Sequence, residues 1–175
     1  MTTENETDYL KRVNSSYRFR GEKAKMNIVP RWVADKVDHN LSILDYGAGP
    51  HNQHANILKE EGFTNITCYD VGKNYNEELH DKDALSKNYD VVYLSNVINV
   101  QPSIEYVAHV LDSAMECVKE NGRMILNFPN PHYCDELTEK KLYDMLSNRF
   151  QDMGRERINT KSQSRIWICI KPKQN

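Results

Sequence analysis

Short apolar runs recur along this chain between longer polar stretches, and they are of two kinds. Leu41–Tyr46, Ile66–Asp70, Tyr89–Leu94 and Arg123–Phe128 are compact blocks without helical spacing, the pattern of strands buried on both faces. Ile104, Val107, Ala108, Leu111, Ala114, Met115 and Val118 instead recur at three and four residues and share one helical face. Pro102 and Ser103 open that helix, and Asn121-Gly122, which tolerate a left-handed backbone, close it. A second helix is expected from about Asn52 to Glu61, stopped by Gly62, and a third from about Thr138 to Phe150 with Leu142, Met145 and Leu146 as its stripe. A fourth begins with Pro30 as its first helical residue and turns Trp32, Val33 and Val37 inward. Near the C-terminus, Glu156–Thr160 and Arg165–Ile170 flank a short polar turn and suit an antiparallel hairpin. A further strand is expected near His80–Ala84. Strands alternating with helices predict an α/β, doubly wound sheet, with right-handed crossovers and helices on both faces.

At 175 residues the length suits one domain, read as 21–175 behind a flexible polar segment, 1–20. Apolar residues make up 39% and charged residues 27%, so the surface must be strongly polar. No apolar run approaches the ~18 residues of a membrane span, and the polar, acidic Met1–Asp8 shows no signal-like hydrophobic region. Cys68, Cys117, Cys134 and Cys169 lack a Cys-x-x-Cys spacing, which points to reduced thiols and a cytoplasmic location. The net charge of −2 is unevenly spread: +2 over residues 1–30, −9 over 31–148 and +5 over 149–175. The acidic body argues against broad nucleic-acid affinity, while the basic tail leaves local contact with DNA or RNA open beside a small-molecule partner.

The first strand runs into Asp45-Tyr46-Gly47-Ala48-Gly49-Pro50 and then a helix. In open α/β sheets ligands bind beyond the carboxyl ends of the strands, and glycines there let the backbone turn tightly and approach a ligand. Asp70 ends the second strand 23 residues after Gly47, near the spacing at which a carboxylate accepts both hydroxyls of a ribose. The loop has no lysine for a triphosphate, and Asn52 stands where a dinucleotide fingerprint has its third glycine. Asp45 would repel a pyrophosphate but suits a ligand carrying an ammonium and a sulfonium.

These residues resemble the first two motifs of class I S-adenosylmethionine (SAM)-dependent methyltransferases. Tyr89–Val97 is similar to their fourth strand and following loop, the unit ending Arg123-Met124-Ile125-Leu126 to their fifth, and the last hairpin to their reversed final strands. The likeness covers about residues 25–171. Ser95–Gln101 and Arg165-Ile166-Trp167 further resemble small methyltransferase-like proteins of phage and bacterial genomes. The resemblance implies a Rossmann-like fold and SAM as cofactor. It places Asp45 at the methionine ammonium, with Tyr46, Gly47, Ala48 and Gly49 in the turn beside the methionine portion. It gives Asp70 to the ribose, Val71 to the adenine face, Asp83 or Ala84 to the adenine edge, and Ser95 and Asn96 to the sulfonium end. Pro50 and the missing third glycine depart from the family pattern.

Asn99 and Gln101 lie where a methyl acceptor would stand, and they suit either orienting a target or capping the helix after Ser103. Asn130-Pro131-His132-Tyr133 resembles the Asn-Pro-Pro-Tyr signature of amino-group DNA methyltransferases, but it follows the wrong strand and reads as a rim loop. His51 and His54 have no further ligands at suitable spacing, so no metal site is expected. No cysteine has an activating context for covalent catalysis. Tyr17-Arg18-Phe19-Arg20-Gly21 with Lys23 reads as a packing segment or as a flap whose cations reach the methionine carboxylate. Methyl transfer from a sulfonium depends chiefly on aligning donor and acceptor, and no catalytic residue is assigned. A SAM-binding or SAM-degrading protein without methyl transfer is the main alternative; a nicotinamide oxidoreductase and an interaction module rank below it.

Overall fold

The computed structural model describes residues 9–10, 26–157 and 165–171. Its elements follow in the order α1 (Ile28–Lys36), β1 (Ile43–Tyr46), α2 (Gln53–Glu60), β2 (Ile66–Tyr69), β3 (Tyr89–Leu94), α3 (Ile104–Glu116), β4 (Val118–Asn127), α4 (Glu139–Ser147), β5 (Asp152–Arg157) and β6 (Arg165–Ile170). One six-stranded sheet takes the order β2-β1-β3-β4-β6-β5. The pairs β1–β2, β1–β3 and β3–β4 are parallel, while β4–β6 and β5–β6 are antiparallel. The expected α/β Rossmann-like sheet with a reversed C-terminal pair is therefore present.

Two-residue alternation along each strand sends neighbouring side chains to opposite faces, and both faces are apolar because both are covered. On one face Leu44, Val92, Leu94, Met124 and Leu126 meet Val107, Val110, Leu111 and Ala114 of α3 and Leu142 and Leu146 of α4. On the other, Ile43, Val91, Tyr93, Ile125 and Ile166 meet Val29, Trp32 and Val33 of α1 and Leu58 of α2. Ser103 and Thr138 cap α3 and α4 by accepting the backbone N–H of Tyr106 and Lys141. Asp90 ties the start of β3 to that of β1, accepting both the backbone N–H and the hydroxyl of Ser42.

Four expectations shift. No strand forms near His80–Ala84: between β2 and β3 the chain makes 3-10 turns at Gly72–Asn74 and Ala84–Ser86 with hydrogen-bonded turns between them. That stretch has too few apolar positions to bury a strand, and Leu79 is itself exposed. Asn121-Gly122 does not close α3. The helix ends at Glu116, Val118 pairs with Tyr89, and Asn121 (φ +59°) sits inside β4. β5 starts at Asp152 rather than Glu156, and residues 158–160 of the expected strand lie outside the described residues. Pro30 is the third residue of α1, not the first. No helix among the described residues is long and apolar enough to cross a membrane.

Candidate functional site

β1, the second strand in the sheet, delivers its carboxyl end into a turn with three left-handed residues: Gly47 at φ +86°, Gly49 at +74° and Asn52 at +48°. Glycine accepts such angles freely, and asparagine is among the few other residues that do. The turn is anchored to β2, because the N–H groups of Gly47 and Ala48 both donate to the Tyr69 carbonyl, at 2.8 and 3.0 Å. A Cβ at position 47 would lie 2.6 Å from Cγ2 of Val97, so the space this glycine leaves is taken by the loop after β3.

Gly49 is held at both its N–H and its carbonyl, in two successive peptide groups. Asp70 Oδ2 accepts the Gly49 N–H at 2.6 Å, and Asp70 Oδ1 accepts the Val71 N–H at 2.7 Å. On the carbonyl side, His80 Nε2 lies 3.0 Å from Gly49 O and 2.7 Å from Asn52 Oδ1. The Asn76 N–H donates to His80 Nδ1 at 2.9 Å, which leaves the ring proton on Nε2 to donate to both oxygens. Asn52 Nδ2 in turn donates to the Leu79 carbonyl at 2.7 Å. Burial raises the Asp70 carboxyl above its usual range, and the Val71 and Gly49 N–H groups and His80 act against that rise.

Asp45 lies on β1 between Cys68 of β2 and Tyr93 of β3 in the parallel register, and it is 1% exposed. Its Oδ2, the Tyr93 hydroxyl and the hydroxyl of Ser95 are buried without a well-formed hydrogen bond, although the Tyr93 hydroxyl is near enough to Asp45 to act on its carboxyl. Buried polar atoms are rarely left unpaired, and here three stand at the ends of two adjacent strands. Burial pushes the Asp45 carboxyl up to about 7, opposed by the Tyr93 hydroxyl and helped by the charge of Asp70. An ionised Asp45 thus needs a cationic partner.

Beyond β3, Asn96 (φ +60°) and Asn127 at the end of β4 bond reciprocally: the Asn96 N–H donates to Asn127 Oδ1 at 2.8 Å, and Asn127 Nδ2 donates to Asn96 Oδ1 at 2.7 Å. They open onto a cleft of about 640 Å³ whose walls include Phe128, Asn130, His132 and Trp167. The Asn130-Pro131-His132-Tyr133 segment is the expected rim loop, with the His132 ring against Phe128 at 4.9 Å.

Most of the expected residues converge here. Asp45, Tyr46, Gly47, Ala48, Gly49, Asp70, Val71, Ser95 and Asn96 cluster at the carboxyl ends of β1, β2 and β3. Tyr46 turns under α3, where its hydroxyl donates to Ser113 at 3.4 Å. Asp83 is exposed, and Ala84 is fully buried in the core against Tyr89. Gln101 is not exposed to a target: its amide donates to the Val97 carbonyl at 2.8 Å and accepts the Tyr9 hydroxyl at 3.1 Å. Tyr9 also stacks on Tyr106 at 4.1 Å. Asn99 Nδ2 donates to the Pro131 carbonyl at 3.2 Å, while its buried Oδ1 has no partner. Ser103, not either amide, caps α3.

No group of His, Cys, Asp and Glu among the described residues could hold a metal ion. The Tyr17–Lys23 cluster lies outside the described residues. Within the basic tail, Arg149 pairs with Asp112, Arg155 with Glu139, and Lys171 Nζ donates to the Met115 and Val118 carbonyls. Three of the tail's cations are therefore engaged by groups of the domain itself. Sequence reasoning missed Tyr93, His80 and Asn127. A tyrosine in the apolar run of β3, two residues before Ser95, was a signal for the first; nothing local marked the others.

Comparison with known proteins fits this geometry. The family model described as "Methyltransferase domain" matches residues 17–164. No curated protein sequence matches the chain. Among solved structures, the fold resembles magnesium protoporphyrin IX methyltransferase of Synechocystis PCC 6803, solved with bound SAM, at TM-score 0.60 and 17% identity over 81% of this chain and 76% of that one. It equally resembles a SAM-dependent methyltransferase of Methanosarcina mazei (TM-score 0.60, 14% identity, 85% and 100% of the two chains). An O-methyltransferase family protein of Burkholderia thailandensis (TM-score 0.60, 12% identity) is matched over 82% of this chain but only 55% of its own length. At these identities the likeness is one of fold.

Proposed function

Because this chain belongs to the methyltransferase-domain family, we propose that it binds SAM at the turn after β1 and transfers the methyl group to an acceptor seated in the cleft beyond β3 and β4. The observation that carries this reading is the buried Asp45, whose Oδ2 makes no well-formed hydrogen bond and whose ionisation burial opposes. A ligand ammonium supplies the missing donor and the compensating charge together. A pyrophosphate would do the opposite, adding negative charge beside two carboxylates.

The remaining residues fit the same ligand. Asp70 spends one lone pair of each oxygen on a backbone N–H, and with the Asn74 side chain also acting on its carboxyl it keeps acceptor capacity for a ribose hydroxyl. Val71 and the Gly47–Gly49 backbone border the same space, and the Ser95 hydroxyl waits without a partner at the next strand. The bound cofactor supplies a methyl group already activated by its sulfonium. What the protein adds is alignment and exclusion of water, worth several powers of ten when the reacting atoms are held in line. The Asn96–Asn127 pair fixes the floor between turn and cleft, and Phe128 and His132 give the cleft an aromatic wall. Its volume of about 640 Å³ suits a small molecule or a single projecting group.

Calorimetric titration with SAM, followed by incubation with methyl-labelled SAM and fractionated extract, tests both halves. Binding in the micromolar range and label in one acceptor class support the proposal. Absence of binding removes it, and binding without transfer to any fraction leaves cofactor binding as the function.

A further inference from the structure

His80 and Asn52 lie 28 positions apart, and neither belongs to the residues expected to hold the cofactor. Both are buried, and their pairing has a direction. The Asn76 N–H occupies His80 Nδ1, so Nε2 carries the proton and points it at Gly49 O and Asn52 Oδ1. Asn52 presents Oδ1 to that proton because its amide nitrogen is committed to the Leu79 carbonyl. It reaches this position from a left-handed backbone, φ +48°, at the place where a dinucleotide fingerprint has glycine. Glycine there would satisfy the backbone but leave His80 with one acceptor fewer. The N–H of Gly49, in the preceding peptide group, is fixed by Asp70.

We infer that His80 and Asn52 act as one positioning unit, which holds the carbonyl of Gly49 while Asp70 holds its N–H, and so sets the turn for the nucleoside end of the cofactor. This rests on the reading of that turn as the SAM site. Neither side chain needs to touch the ligand. Their effect passes through the Gly49 carbonyl and, across the Gly49 Cα to its own N–H, through the orientation of the Asp70 carboxylate.

The test is calorimetric titration of the full chain with SAM and with S-adenosylhomocysteine, alongside thermal melting without ligand. Asn52→Gly suits the left-handed angle but gives up the bonds to His80 and the Leu79 carbonyl, so its melting temperature should fall by about 2–8 °C, leaving it folded at 25 °C, while both dissociation constants rise about tenfold. His80→Leu should weaken binding at least as much. His80→Gln restores a donor toward Gly49 and Asn52, and should recover affinity to within about threefold of the parent. Asn52→Gly combined with His80→Leu should bind no more weakly than His80→Leu alone, because both changes break one unit. Unchanged affinities in the single variants overturn the inference, and so do multiplicative losses in the double variant. If the parent chain binds neither SAM nor S-adenosylhomocysteine, the cofactor reading fails and this inference falls with it.

Discussion

Asn in place of Asp45 should make the ligand-free protein more stable and the cofactor site useless. The carboxyl is raised from 3.8 to about 7 by burial, so between those values the folded state holds a proton that the unfolded chain has released. Stability then falls as pH rises through this window and is flat on either side. About three pH units at about 1.4 kcal/mol each give a penalty near 4 kcal/mol above pH 7, an upper bound because the site relaxes and admits water. Asp45→Asn keeps the shape and cannot ionise. The difference in unfolding free energy between variant and parent should therefore be small at pH 4 and widen by up to about 4 kcal/mol by pH 8. In a chain of this length that corresponds to roughly 8–16 °C of melting temperature. The same ionisation works in reverse on ligand binding. Pairing with an ammonium requires the charged carboxylate, so SAM affinity should fall about tenfold per pH unit below 7 in the parent and be weak and flat in the variant. Urea denaturation at pH 4, 6 and 8 and calorimetry at pH 5, 6.5 and 8 measure the two effects. A stability gap that does not change with pH, or wild-type SAM affinity in Asp45→Asn, refutes the reasoning.

Other substitutions probe the neighbouring contacts. Gly47→Ala should cost about 1–3 kcal/mol from the left-handed angle alone, with a further clash because its Cβ would sit 2.6 Å from Val97 Cγ2. Adding Val97→Ala should recover the steric part but not the conformational part in urea denaturation. Trp32→Phe removes the indole N–H that donates to Glu156 at 2.7 Å and joins α1 to β5; a loss of about 1 kcal/mol is expected, and no loss would mean that solvent replaces the bond. Asn130→Ala and His132→Ala alter the cleft wall without touching the turn, so SAM affinity by calorimetry should be unchanged while labelled methyl transfer drops. A fall in SAM affinity would place the cofactor, rather than the acceptor, in the cleft.

The elements that were legible are those whose buried pattern is unambiguous. β3 begins and ends where its apolar block does, at Tyr89 and Leu94, because a centre strand is apolar on both faces. Val118 shows the limit: it fits both the helical spacing of α3 and a strand, and only the non-local pairing with Tyr89 decides for the strand. That choice moves Asn121 and Gly122 from a helix cap into β4. β5 is nearly all polar, so its limits depend on the partner β6 more than on its own residues.

The site divides along the same line. Asp45 and Asp70 were readable because strand ends fix where a carboxylate points. The partnership of His80 with Asn52 depends on the path of the turns between β2 and β3, and that path has no periodicity to read. Asn52 is the instructive case. As a letter in a pattern it is a missing glycine, a departure from the family's loop. As a backbone conformation it is no departure, since the turn asks for a positive φ and asparagine supplies it. The amide then adds an acceptor for His80 that glycine lacks. A glycine motif describes required angles, so a substitution that keeps the angle and adds a hydrogen bond strengthens the turn it seems to violate.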